Sequence, residues 1–156
     1  MIQRIQSIYL LLAGLAIWAL FLFPLAHNVL IGGISATIKI TGVYLISNGQ
    51  ESAAQTIFTP LIAATVIIGL LPIVLIFLYK NRKRQISLCW IYVLLVIGFS
   101  YWMVQTVKSA AGSFNMTTNN FGIGALLSSV SIILAIAAAR AIQKDEKLVR
   151  SADRLR

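Results

Sequence analysis

Side chains able to do chemistry are few in this chain and lie far apart along it. There is one histidine, His27, one cysteine, Cys89, and four acids, Glu51, Asp145, Glu146 and Asp153. A hydrolase needs a nucleophile, a base and an orienting group within reach of one another, and a metal site needs several His, Cys or carboxylate ligands. Three of the acids crowd into the C-terminal tail, remote in sequence from His27 and Cys89, so no triad, carboxylate pair or ligand cluster is visible in the spacing. A lone cysteine forms no intramolecular disulfide and no thiolate cluster; Cys89 is expected to be a buried packing residue, and His27 a solvated one. Asn115-Met116-Thr117 matches a glycosylation sequon, a three-residue pattern common by chance, and is read as a surface turn. The sequence therefore predicts no catalytic residue, no cofactor and no metal, and the chain is read as not an enzyme.

The elements that would have to position any site are unusual in composition. Of 156 residues, 59% are hydrophobic and 11% charged, whereas a soluble domain is roughly half apolar and about a quarter charged. Four apolar runs, at about residues 5–23, 61–79, 86–104 and 121–139, contain no Asp, Glu, Lys, Arg or His, and each is long enough as a helix for a hydrocarbon core of roughly 30 Å. The first is too long for a signal peptide and lacks a cleavage pattern, so it reads as an uncleaved span ending before Pro24. The second opens on Thr59 as an N-cap and Pro60 at the first helical position. Pro72 inside it removes the bond to the Ile68 carbonyl and predicts a kink. A span without titratable groups disfavours proton- or ion-coupled transport.

Residues 27–59 are apolar enough to be mistaken for a fifth span, but their period is wrong. Ile34, Ala36, Ile38 and Ile40 alternate with Ser35, Thr37, Lys39 and Thr41, the two-residue repeat of a strand with one oily and one wet face. Gly32-Gly33, Gly42 and Ser47-Asn48-Gly49 punctuate the pattern as turns. We expect a small antiparallel sheet of two or three strands in the first outer loop.

The net charge is +9. Counted around four spans, eleven of the thirteen Lys and Arg fall on one side, leaving Lys39 and Lys108 on the other. By the positive-inside rule that side is cytoplasmic, carrying both chain ends. This asymmetry, rather than DNA binding, explains the basic balance. Tyr79, Trp90, Tyr92, Tyr101 and Trp102 are expected as interfacial aromatics.

Two surfaces stand out as contact-makers. Gly124 with Ser128, Ala125 with Ser129, and Ser131 with Ala135 and Ala139 form small-residue rows on the fourth run, the kind of seam that lets helices approach closely within this chain or in a homo-oligomer or other membrane-protein partner. The tail, residues 140–156, reads as a cytoplasmic helix continuing from the fourth span, with Ala141, Leu148, Ala152 and Leu155 on one stripe and a Glu146–Arg150 pair. The basic residues Arg82, Lys83, Arg84, Arg140, Lys144, Lys147, Arg150, Arg154 and Arg156 are the candidates for contact with anionic membrane lipids, a cytoplasmic protein or the ribosome.

The N-terminal Met1-Ile2-Gln3-Arg4-Ile5-Gln6-Ser7-Ile8-Tyr9-Leu10-Leu11-Leu12-Ala13 and the tail Lys144-Asp145-Glu146-Lys147-Leu148-Val149-Arg150-Ser151-Ala152-Asp153-Arg154-Leu155-Arg156 resemble the Bacteroidota membrane family catalogued as domain of unknown function 4293. The resemblance implies a bacterial inner membrane and supplies no activity. The layout is also similar to that of the claudins, but the outer loop lacks their paired cysteines and tryptophan signature, so their function does not carry over. The expected fold is a single all-α membrane domain, a four-helix transmembrane bundle with an outer β loop and a cytoplasmic C-terminal helix. The expected function is a non-enzymatic accessory or scaffold subunit of an inner-membrane complex, in protein export or envelope biogenesis. The alternative is a small-molecule or lipid-binding and transport protein.

Overall fold

The computed structural model describes residues 2–47, 50–52, 54–78, 81–112 and 120–154. The Asn48-Gly49 turn, Tyr79 and Lys80, the Asn115-Met116-Thr117 sequon and the terminal Leu155 and Arg156 lie outside the described residues. The fold is mostly helical: α1 (Ile2–Trp18), α2 (Thr59–Phe77), α3 (Arg82–Ala111) and α4 (Gly124–Arg154). Between α1 and α2 lie β1 (Ala26–Ile31), β2 (Ile34–Lys39), β3 (Gly42–Ser47), β4 (Gln50–Glu51) and β5 (Thr56–Ile57). α2, α3 and α4 are long and apolar enough to cross a membrane, and the first apolar run is a shorter helix over Ile5–Phe21.

The helix ends depart from their expected places for local reasons. α1 stops at Trp18 and tightens into a 3-10 turn at Ala19–Phe21. There the Ala19 carbonyl accepts both the Leu22 and Phe23 N–H groups, at 3.0 and 3.2 Å, because Pro24 disfavours helical backbone in the residue before it. α2 is not capped by Thr59. Its N-cap is Phe58, without a side-chain bond, and Pro60 follows inside the first turn. Phe58 donates its N–H to the Thr41 carbonyl at 3.1 Å while its own carbonyl accepts from Leu61 and Ile62 at 3.0 Å each, so the sheet sets where α2 begins. α3 outruns its expected span at both ends and closes at Gly112, whose φ of 61° lets its N–H reach the Lys108 carbonyl at 3.2 Å. α4 continues into the tail without a break, as read from its sequence.

The segment between α1 and α2 holds more strands than expected, five among the described residues, all antiparallel. β1, β2 and β3 run in order, and β4 and β5 are two short pieces paired with opposite ends of β3. Gly32 and Gly33 join β1 to β2 with φ of 61° and 85°, the two left-handed residues of a tight hairpin turn that a side chain would strain. The alternation holds only in part. Ala36, Ile38 and Ile40 are fully buried, but Thr37 is buried as well, and Ile34, which stands beside the hairpin turn, is exposed.

α1 is the hub, packed on α4 along one side and α2 along another, while α3 leans mainly on α4. Gly14 and Gly69 allow the α1–α2 approach: a Cβ on Gly14 would stand 2.8 Å from the Gly69 carbonyl, and one on Gly69 would overlap the Trp18 indole. Pro72 is buried beside Gly14, and α2 runs on through it to Phe77. We predict that Gly69→Leu lowers stability by about 1–3 kcal/mol through overpacking. Gly98→Leu, which projects into open space, should leave the melting temperature of the purified protein no lower. Thermal unfolding followed by circular dichroism checks both.

Candidate functional site

One end of the bundle gathers the basic residues. Gln6 at the start of α1 donates through Nε2 to the Ala141 carbonyl of α4 at 3.3 Å, and Gln85 in the first turn of α3 donates to the Leu75 carbonyl of α2 at 2.9 Å. Leu75 lies in the last turn of α2, where its carbonyl also accepts the Leu78 N–H at 3.3 Å, so Gln85 adds a second bond at that end. Arg82 Nη1 stands 3.0 Å from Asp145 Oδ2, with side chains 30% and 14% exposed. No N–H of that nitrogen is aligned for a hydrogen bond, so this is a charge pair held by proximity. These ties bring both ends of the helical sequence and the α2–α3 connection to one place.

Of the basic candidates, Lys83, Arg84, Arg140, Lys144 and Lys147 are exposed there, whereas Arg82 is half-buried against Asp145. Arg150 and Arg154 lie on α4, with side chains outside the described ones, and Arg156 lies outside altogether. The opposite end carries the sheet. Lys39 lies there with its Nζ 5.1 Å from the centre of the Tyr44 ring, and Lys108 is in the last turn of α3. β4, which holds Glu51, and Asp145 are thus at opposite ends. His27 is half-buried on β1 rather than solvated, and Cys89 is fully buried in α3. Among the described residues no three His, Cys, Asp or Glu come together.

Two of the small-residue rows of α4 face inward, whereas Ser129 of the Ala125–Ser129 row is exposed. Ser128 is 2% exposed, Ser131, Ala135 and Ala139 are fully buried, and Gly124 donates its N–H to the Pro24 carbonyl at 3.0 Å. Ser131 donates through Oγ to the Ala13 carbonyl of α1 at 2.9 Å and lies 3.0 Å from the Tyr92 hydroxyl of α3. Three helices therefore meet at one buried hydroxyl. Tyr92, expected at an interface, is 1% exposed for this reason, while Trp90, Tyr101 and Trp102 do face outward.

Asn120 is a second polar tie, unrecognised in the sequence. β1 carries a bulge between Ala26 and Val29, with Asn28 at a φ of 52°. A bulge interrupts the ladder, and the carbonyls of His27 and Asn28 are met instead by the Asn120 side-chain amide, at 3.3 and 3.1 Å. Phe121 bridges to Ala26, and Gly122 donates to the Leu25 carbonyl at 2.9 Å. The start of α4 is thus pinned to the edge of β1, which is why the helix begins at Gly124 and not at Phe121. A polar residue standing immediately before an apolar run was the signal for Asn120, as it was for Gln6 and Gln85 at the edges of theirs.

Ser131→Ala should cost about 1–2 kcal/mol, the range for a polar contact between apolar helices and for a buried hydroxyl left unpaired. Tyr92→Phe placed on top of it should recover part of the loss, since removing both partners leaves no orphan at that pair. Chemical unfolding of the single and double variants measures the coupling.

No curated protein matches the chain. A family model does, over residues 2–155, which takes in all four helices, the sheet and the basic end. By that match the chain belongs to the family described as domain of unknown function DUF4293.

Proposed function

We propose that this is a four-span membrane protein with both ends cytoplasmic, and that it works as a non-enzymatic accessory or scaffold subunit of a bacterial inner-membrane complex. The observation that carries the membrane placement is the separation of charge along the bundle. Arg82, Lys83, Arg84, Arg140, Lys144 and Lys147 share one end and the sheet occupies the other, with helix surface between them that is oily outside as well as inside. Leu94 and Ile133 are 68% and 66% exposed, an outer surface suited to lipid and not to water. α1, though short, is long enough by its neighbours. Gln6 lies beside Ala141 and Pro24 beside Gly124, so α1 together with the 3-10 turn and the short stretch to Pro24 runs the length of the apolar part of α4, about 26 Å by helix rise, near the thickness of the hydrocarbon core.

The scaffold role is supported by what the two ends offer. α4 spans about 46 Å at 1.5 Å per residue, so it runs on past the apolar zone, with Lys144 and Lys147 exposed on it. At the far end, the sheet is pinned by Asn120 and by Phe58, which makes it a fixed platform and not a loose loop. Protein export and envelope biogenesis are the processes that need such a connector between cytoplasm and envelope.

Single cysteines test the topology. With Lys147→Cys or Ile57→Cys, a membrane-impermeant maleimide on intact spheroplasts should label Ile57→Cys alone. Labelling of both sites, or of Lys147→Cys alone, would overturn the placement. Extraction in mild detergent followed by mass spectrometry should recover one partner in stoichiometric amount, and lose it when the chain is truncated after Arg140 if the tail carries the contact. A chain that always purifies alone would sink the scaffold role.

A further inference from the structure

A groove of about 420 Å³ lies in the seam between α2 and α3, lined by Ala64 and Ile68 of α2 and by Ile91, Leu95, Gly98 and Trp102 of α3, among others. Gly98 makes the recess, since nothing lies within 4 Å of where its Cβ would be. Trp102, 44% exposed, lies at its sheet-side end. A second depression, nearer the basic end, is lined by Lys83, Arg84, Ser87 and Leu88. Helical spacing puts the two on one line: Arg84, Leu88, Ile91, Leu95, Gly98 and Trp102 follow one another at alternating intervals of four and three residues, one face of α3.

We propose that this line is a binding site for one anionic phospholipid of the cytoplasmic leaflet. The phosphate sits on Lys83 and Arg84, and an acyl chain lies along Leu88 and Ile91 into the recess at Gly98. Charge selects the ligand. Two cations stand beside a hydroxyl, Ser87 Oγ, which in the free protein makes only a long 3.3 Å bond back to the Lys83 carbonyl of its own helix and is free to turn to a phosphate oxygen. Length fits as well. One leaflet is about half of the roughly 30 Å hydrocarbon core, about ten residues of helix. Counted from Arg84 that reaches Leu94, which lines the groove, so the chain end enters the groove and points toward the recess at Gly98 one turn further on. Arg82 does not join the headgroup site, because Asp145 neutralises it.

The inference rests on the membrane placement proposed above, and the test separates the two. The protein is reconstituted into nanodiscs of equimolar phosphatidylglycerol and phosphatidylcholine, and the lipid retained after transfer to mild detergent is read by native mass spectrometry. Failure to enter nanodiscs at all would sink the membrane placement itself. With entry, the wild type should keep one phosphatidylglycerol in preference to phosphatidylcholine. Lys83→Gln with Arg84→Gln should reduce that retention about tenfold or more, and Gly98→Leu, which fills the recess without touching the core, should reduce it with the charges intact. Lys144→Gln with Lys147→Gln makes the same change in net charge on α4 and should leave retention unaltered. Equal loss from the α4 pair would reduce the effect to bulk charge and overturn the site. So would full retention by Gly98→Leu, or a wild-type dimer that Gly98→Leu dissociates, which would give the groove to a second copy of the chain.

Discussion

Helices that are oily on every side have no reason to turn one particular face inward unless something other than oil provides it. In water, burial of apolar area sorts the faces. Among lipid tails it does not, and close approach, dispersion and hydrogen bonds must do so instead. In the membrane setting proposed for it, this chain meets that constraint with small residues where backbones touch and with single polar side chains at the crossings. Gly14 and Gly69 bring α1 onto α2. Ser131 ties α4 to α1 and, through Tyr92, to α3. Gln6, Gln85 and the Arg82–Asp145 pair fasten the basic end.

The sheet obeys a related rule. Its strands carry backbone groups that need partners, and a bulge in β1 leaves two carbonyls without ladder bonds. Asn120 supplies them, and by doing so fixes the entry of α4 against the exit of α1. On the other flank Phe58 hands the chain from the Thr41 carbonyl into the first turn of α2. The sheet is thus a clamp on three helix ends. Among the described residues the seam between α2 and α3 has no comparable tie along its middle, and that is where the groove opens.

Much of this was legible from residue types. The apolar runs and the charge asymmetry marked four helices and their common basic end, because a Lys or Arg is as costly in a hydrocarbon-facing surface as a Leu is cheap. The period of two in residues 34–41 separated sheet from span, and Gly32-Gly33 marked the hairpin. The read-through of α4 into the tail followed from unbroken helical patterning after Arg140. The poorer readings have physical causes. Short strands such as β4 and β5 carry too few residues to show a period, and Thr59 and Phe121 looked like helix starts because capping and apolar runs are local signals, while the sheet that overrode them is not.

Composition and spacing alone were sufficient for the number of helices and the end at which cations collect, since each depends on transfer energies and on which residue types are present. Which faces meet was not available there. Tyr92 could have lain at an interface, Arg82 could have been a free cation, and the α4 small-residue rows could have faced lipid or a second subunit. Those outcomes depend on distances between helices far apart in sequence: Ser131 and Ala13 are 118 residues apart, Gln6 and Ala141 are 135. A period along one helix says that a face is special, and only the neighbour brought against it says for what.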